Sequence, residues 1–164
     1  MFEKIKIKLL IAHDFLIQIN KFKLIILAVI TNLIISLLFS FISNIVFGEK
    51  SLNGFKNIGS LSNELVMVVF IAPLFETILF QYGIIEIVRK RFNPFVCCCI
   101  SSFVFASMHT YNVFYFFFAF LGGLLFGYLY FIGKSVKMGI LLVFFVHIIY
   151  NSLVFTIKHL GTCF

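Results

Sequence analysis

Three ionisable side chains, Glu76, His109 and His147, lie inside long apolar stretches of this 164-residue sequence. A carboxylate and two imidazoles can act as general acid and base, can bind a metal ion, or can relay protons. An ionisable group at the centre of a bilayer costs at least about 2.5 kcal/mol on insertion scales. Each of the three is therefore a candidate functional residue.

Each candidate has a companion four residues away, which places the two on one face of a helix. The pairs are Glu76 with Phe80, Phe105 with His109, and His147 with Asn151. Thr77 and Gln81 form a further pair on the face next to Glu76. Pro73 removes one backbone hydrogen bond just before Glu76, so we expect a loosened helix where a cavity is needed.

Depth in the membrane gives a second constraint. Counted from the nearest basic or proline boundary at about 1.5 Å per helical residue, Glu76, His109, His147 and Asn151 lie roughly 20, 22, 15 and 21 Å deep. All four fit within one slab of the membrane, which predicts a shared cavity.

The elements that position these residues must be membrane helices. Hydrophobic residues make up 62% of the chain and charged residues only 12%, which leaves too few polar side chains to cover a soluble fold. The apolar runs are continuous rather than alternating, which favours helices over a barrel. The composition predicts an all-α polytopic transmembrane bundle in the lipid bilayer.

The sequence predicts a surface segment followed by a transmembrane domain. Residues 1–21 alternate lysines with apolar residues and are expected to form an amphipathic segment on the membrane surface. Residues 22–164 form the transmembrane domain, and its five spans are 22–47, 63–88, 94–110, 113–132 and 137–158. The third and fourth are joined so tightly that one of them can be re-entrant instead. Gly123 and Gly127 predict close helix packing.

The basic residues indicate orientation. Ten of the 13 Lys and Arg residues face the cytoplasm if the N-terminus is cytoplasmic, as the positive-inside rule requires. They lie in short groups between apolar runs, so they indicate topology and no nucleic-acid partner. No internal repeat is visible, which disfavours a transporter built from inverted halves.

These motifs resemble the CAAX protease and bacteriocin-processing family of intramembrane peptidases, also called the Abi family. Its pattern is Glu-Glu-x-x-x-Arg after a proline, then Phe-x-x-x-His, then His-x-x-x-Asn, each on its own helix. The segments A-P-L-F-E-T-I-L-F-Q, F-A-S-M-H and H-I-I-Y-N occur in this order between residues 73 and 151. Thr77 stands where the family has its second Glu, and Gln81 where it has Arg. We expect these two neutral groups to satisfy each other by hydrogen bonding.

The resemblance implies an intramembrane endopeptidase of a bacterial cytoplasmic membrane that acts on a peptide or membrane-protein substrate. It implies that Glu76 and His109 activate water and that His147 and Asn151 stabilise the oxyanion. The supporting residues are Thr77, Gln81, Phe80 and Phe105. Glu76, His109 and His147 are also candidate ligands of a zinc ion, and a metal-free mechanism fits the same residues.

Other functions stay open at this point. A catalytically inactive family member would bind peptides or a partner protein, for instance in bacteriocin immunity, and the departures at Thr77 and Gln81 favour it. A small permease would use Glu76 and the histidines as a proton relay, but the missing repeat disfavours it. Locally, His147 and Asn151 can instead form an interhelical polar clamp.

Overall fold

The computed structural model describes residues 11–47, 60–110 and 112–160. These ranges contain six helices and no strand, which confirms the predicted all-α bundle. The helices are α1, residues 11–18; α2, Lys21–Phe47; α3, Leu61–Val88; α4, Pro94–Ser107; α5, Val113–Ile132; and α6, Val136–Leu160. Part of the predicted surface segment, residues 1–10, lies outside the described residues, and its boundary at residue 21 stays a prediction.

Polar side chains mark where the helices begin. The residue before each of α2 to α6 accepts a hydrogen bond from a backbone N–H of the first turn. These residues are Asn20, Ser60, Asn93, Asn112 and Ser135. Asn and Ser are favoured at this position because the first backbone donors of a helix have no partner within it. These capping residues determine the residue at which each helix begins, which hydropathy alone does not locate.

Helix length separates α4 from the other spans. Four helices are long and apolar enough to cross a membrane: α2, α3, α5 and α6. Helix α4 has 14 residues and is therefore about 21 Å long, shorter than a hydrocarbon core of about 30 Å. The predicted span 94–110 is corrected to Pro94–Ser107. A straight helix of this length is too short to cross such a core, which agrees with the expectation that one of the third and fourth spans can be re-entrant.

Helix α3 is not a regular α-helix. It widens into π-helical turns over Val66–Ile71 and again over Thr77–Ile84, on either side of the α-helical turn Ala72–Glu76. Pro73, in that central turn, has no backbone N–H to donate to the preceding turn. π-turns inside helices occur frequently at functional sites, and here they flank Glu76.

Close packing of α4 on α5 depends on small residues. A Cβ atom on Gly123 would lie 3.0 Å from the Ser102 backbone, and one on Gly127 would lie 3.0 Å from Cys98 Sγ. The predicted close packing at Gly123 and Gly127 is confirmed. Because α4 is held this tightly, the turn after it is held in place beside α3 and α6.

Acidic side chains link α3 to other helices near both of its ends. At the start of α3, Glu64 is 4% exposed and lies 3.0 Å from Lys158 Nζ of α6. At the other end of α3, Glu86 pairs with Arg89 and accepts a hydrogen bond from the Tyr130 hydroxyl of α5. Large apolar side chains cover the outside of the bundle, as lipid requires.

Candidate active site

Glu76 lies between two histidines that come from other helices. Its Oε2 lies 3.4 Å from Nε2 of His147, and its Oε1 lies 3.8 Å from Nε2 of His109. The carboxylate side chain is 22% exposed, whereas those of His109 and His147 are 15% and 8% exposed. Helices α3 and α6 and the end of α4 therefore bring a half-buried acid and two imidazoles to one place.

His109 is held by the end of α4. Its Nδ1 lies 2.8 Å from the carbonyl oxygen of Phe105, in the last helical turn, where carbonyls lack partners within the helix. The imidazole also lies against the rings of Phe105, at 4.5 Å between centroids, and Tyr115, at 5.7 Å. The Phe-x-x-x-His spacing thus lets the end of α4 hold the imidazole of His109 in position.

His147 comes from the middle of α6 and is surrounded by aromatic rings. Its centroid lies 4.8 Å from that of Phe126 and 6.4 Å from that of Phe105. Its Nδ1 is buried with no hydrogen-bond partner in the part of the chain that the structure describes. Only Nε2 meets a polar group, and that group is Glu76.

The surroundings of the two imidazoles favour different tautomers in their neutral forms. Nδ1 of His109 lies by a carbonyl oxygen, so a neutral His109 carries its hydrogen there and leaves Nε2 as an acceptor near Glu76. Nδ1 of His147 has no hydrogen-bond partner among the described residues, so a neutral His147 is expected to carry its hydrogen on Nε2, 3.4 Å from Glu76 Oε2.

Asn151 lies one turn after His147 on α6. Its Nδ2 donates to the backbone carbonyl oxygen of Val68 in α3 at 2.9 Å. In the π-helical register Ala72 N–H bonds to Met67 five residues back, so the Val68 carbonyl would meet Pro73, which has no N–H. Asn151 supplies the donor that Pro73 lacks. This contact is an interhelical clamp, and it leaves the second amide hydrogen of Asn151 for another acceptor.

Thr77 and Gln81 are buried beside Glu76, each with about 1% of its surface exposed. The expectation that they satisfy each other is wrong. Gln81 Oε1 lies 3.1 Å from the hydroxyl of Ser101 in α4, while Thr77 Oγ1 and Gln81 Nε2 have no hydrogen-bond partner among the described residues. Both lie in the π-helical turn Thr77–Ile84, where residues four apart no longer share a line along the helix.

Aromatic side chains form the wall of the site. Phe105 is central to this wall: its ring contacts those of Phe80 at 5.6 Å and Phe126 at 6.4 Å, besides the two histidines. The motif spacing identifies Phe80 and Phe105. Sequence reasoning does not identify Phe126, Tyr115 and Ser101, because nothing in the sequence distinguishes them from the other Phe, Tyr and Ser residues of the spans.

Glu76, His109 and His147 are the candidate metal ligands at the site. In residues 11–47, 60–110 and 112–160, no three His, Cys, Asp or Glu side chains are arranged to hold a metal. His109 and His147 approach Glu76 from different oxygens, at 3.8 and 3.4 Å. A zinc ion held by these three side chains stays a prediction from the family resemblance.

Comparison with known proteins gives one match. Residues 59–153 match the model of a protein family described as type II CAAX prenyl endopeptidase, Rce1-like. The matched segment is more than half of the 164-residue chain and contains the three motifs between residues 73 and 151. Searches of curated proteins and of solved structures gave no match.

Proposed function

Because the chain belongs to the Rce1-like family of type II CAAX prenyl endopeptidases, we propose that it hydrolyses a peptide bond inside the membrane at Glu76. The observation that carries the proposal is the position of this carboxylate between two imidazoles, at 3.4 and 3.8 Å. A carboxylate placed between a proton acceptor and a proton donor has the groups that hydrolysis of an amide requires.

The proposed first step is activation of water by Glu76 and His109. At 3.8 Å, Glu76 Oε1 and His109 Nε2 are too far apart for a direct hydrogen bond, and a water molecule within reach of both can join them. Glu76 takes one proton from this water while the lone pair of His109 orients it. The remaining hydroxide attacks the carbonyl carbon of the substrate.

The second step needs a group that holds the developing oxyanion. His147 carries its hydrogen on Nε2, and the long contact of 3.4 Å with Glu76 leaves this N–H able to turn to an oxyanion beside the carboxylate. The second amide hydrogen of Asn151 is the other candidate donor. Glu76 then returns its proton to the amide nitrogen as the C–N bond breaks, which yields a carboxylic acid and an amine.

The setting of the reaction follows from the charges and the helix lengths. We propose a bacterial cytoplasmic membrane with the N-terminus in the cytoplasm, because ten of the 13 basic residues then face inward. The substrate is a prenylated protein, a peptide precursor, a bacteriocin or another membrane-bound protein. The proposed mechanism is written with the side chains alone and takes no step through a metal.

Product mapping tests the proposal. Purified protein in proteoliposomes is given a peptide library that includes peptides with a farnesylated C-terminal cysteine, and new termini are identified by mass spectrometry. We expect cleavage by the wild type and by Glu64→Gln, and none by Glu76→Gln. Cleavage that persists in Glu76→Gln would come from a contaminant or another mechanism and would refute the assignment.

The same preparation tests the role of a metal. We expect activity to survive dialysis against 1,10-phenanthroline, and we expect substoichiometric zinc by elemental analysis. Activity that disappears with the chelator and returns with zinc would show that the site rearranges around a metal when substrate or ion is present.

An inactive, partner-binding family member is the second candidate, and Thr77 and Gln81 favour it. Where the family pattern has a Glu and an Arg, both side chains here are neutral and buried and do not bond to each other. In this case a cellular effect such as bacteriocin resistance would be retained in Glu76→Ala at normal protein levels. Loss of that effect would exclude this candidate.

A further inference from the structure

A second cavity lies near the cytoplasmic ends of α4 and α5, away from Glu76. Its volume is about 570 Å³, which lies in the range of small-molecule sites. Ile17 of α1, Pro94 and Cys98 of α4, and Leu124 of α5 are among its lining residues. None of its lining residues belongs to the candidate active site, so the cavity needs a separate explanation.

Most of the lining is apolar, and its polar members are His13, Tyr128 and Lys134. The imidazole of His13 lies 2.8 Å from the hydroxyl of Tyr128, which joins α1 to α5 and forms one wall. Lys134 lies just after α5 and is exposed, so it supplies a positive charge at an otherwise apolar cavity. This combination suits an amphiphile with an apolar tail and an anionic head.

The backbone of Lys134 gives an independent observation. Its φ is 61°, and it is the one non-glycine residue of the described chain with a positive φ. Lys134 directly follows Gly133, the C-cap of α5, where a left-handed residue commonly ends a helix. This position usually carries glycine, because the left-handed region disfavours most side chains. Here a lysine ends the helix instead, and its charge lies beside the cavity.

We propose that this cavity binds one acyl chain of an anionic phospholipid of the cytoplasmic leaflet, with the headgroup phosphate at Lys134. A free phosphate would leave the apolar walls unfilled, and a zwitterionic lipid would bring a quaternary ammonium beside its phosphate, which weakens the attraction to Lys134 relative to an anionic lipid. Anionic lipid is concentrated at the surface where the proposed orientation places Lys134. The proposal does not depend on peptidase activity.

Photolabelling in nanodiscs tests the proposal. The discs are made of phosphatidylcholine with a trace of either phosphatidylglycerol or phosphatidylcholine that carries a photoreactive acyl chain, and the labelled residues are mapped by mass spectrometry. We expect phosphatidylglycerol to label the segments around Ile17, Cys98 and Leu124 at least fivefold more than phosphatidylcholine does. Leu124→Trp, which fills the cavity, should reduce both signals.

Charge variants identify the headgroup contact. Lys134→Gln should lower phosphatidylglycerol labelling to the phosphatidylcholine level, and Lys134→Arg should retain it. Lys134→Gly removes the same charge and suits the left-handed backbone, so it gives the answer if the Gln variant folds poorly. Lys137→Gln is the matched control, because Lys137 is exposed nearby but does not line the cavity, and we expect full labelling.

Three results would overturn the proposal. Equal labelling of the wild type by the two lipids would mean that the cavity takes any neighbouring acyl chain. Unchanged phosphatidylglycerol labelling in Lys134→Gln and Lys134→Gly would remove the headgroup contact. Competition by a farnesylated peptide but not by unlabelled phosphatidylglycerol would assign the cavity to a substrate tail instead.

Discussion

Two acids on the same helix, the buried Glu64 and the half-buried Glu76, have different surroundings. Glu64, at the start of α3, lies 3.0 Å from the ammonium group of Lys158 and 4.0 Å from Nε2 of His159. Glu76, in the middle of α3, pairs with imidazoles alone among the described residues, at 3.4 and 3.8 Å. The first acid pairs with a lysine besides a more distant histidine, and the second lies between two histidines.

The difference favours a structural role for Glu64 and the proposed chemical role for Glu76. The ion pair with Lys158 joins α3 to α6, so protonation of Glu64 would weaken that link. Glu76 lies close to two imidazoles, which are groups suited to proton transfer. The sequence places Glu76 in the centre of a span and Glu64 near its end, but only the structure shows which partner each acid has.

The largest expected effect is a split between activity and stability at the two acids. Glu76→Gln should reduce kcat on a substrate found by product mapping by about 10²- to 10⁴-fold, the range typical of a lost general base. Its melting temperature should stay close to that of the wild type, because glutamine keeps the shape and a hydrogen-bonding group. Glu64→Gln should do the reverse and retain kcat within a few-fold.

Both variants are purified in the same detergent and compared by steady-state kinetics and thermal unfolding. If Glu64→Gln lost activity as completely as Glu76→Gln, the division between a structural and a chemical acid would be wrong.

Asn151 combines the two kinds of role, because its amide group bonds to the Val68 carbonyl and is also a proposed oxyanion donor. Asn151→Ala removes the donor to the Val68 carbonyl, at a cost of about 1 kcal/mol, and also removes an oxyanion donor, typically about 10² to 10³ in kcat. Pro73→Ala restores a backbone N–H near that carbonyl. We expect the double variant to regain stability but not activity.

Thermal unfolding and kcat of the two single variants and the double variant form one cycle. Recovery of both quantities in the double variant would mean that Asn151 acts only as a clamp.

Lys158 tests the structural half of the comparison. Lys158→Ala leaves a buried carboxylate without its ammonium partner, which should cost about 1 to 3 kcal/mol. Glu64→Gln combined with Lys158→Gln should restore most of this loss, because neither charge is then buried alone. Denaturant unfolding in mixed micelles measures the differences, with Lys137→Ala as the exposed control at the other end of α6. If Lys137→Ala lost as much stability as Lys158→Ala, the ion pair between Glu64 and Lys158 would not be the cause of the loss.

Local sequence patterns predicted the fold and singled out Glu76, His109 and His147, which the structure brings close together. Continuous apolar runs fix membrane helices because the backbone must bond within each segment. His109, predicted inside a span, lies just past the end of α4, and its ring bonds back to the Phe105 carbonyl four residues earlier. The end of α4 was predicted too late, since hydropathy continues past Ser107 while the helix ends there. An apolar run does not show where backbone hydrogen bonds stop.

The sequence patterns could not predict contacts between distant segments of the chain. The contact of Asn151 with Val68 spans 83 positions, and it depends on a π-turn whose register no residue pattern fixes. The aromatic wall at Phe126 and the acceptor of the Ser101 hydroxyl likewise depend on how α4, α5 and α3 pack. Pro73 gave the one usable signal, because a missing N–H leaves a carbonyl that something else must satisfy.

The smallest expected effect is at Thr77, one residue from Glu76. Its hydroxyl is buried without a hydrogen-bond partner among the described residues, so Thr77→Val removes an unsatisfied group and should stabilise the protein by up to about 1 kcal/mol. We expect kcat to change by less than tenfold, since the catalytic steps proposed for Glu76 use no hydroxyl. Thermal unfolding measures the change in stability and steady-state kinetics measures the change in kcat, and Gln81→Leu is compared in the same way. A large loss of kcat at unchanged stability would instead mean that the Thr77 hydroxyl binds water or substrate where relatives use a carboxylate. The departure from the family pattern would then be a replacement of function rather than a loss of it.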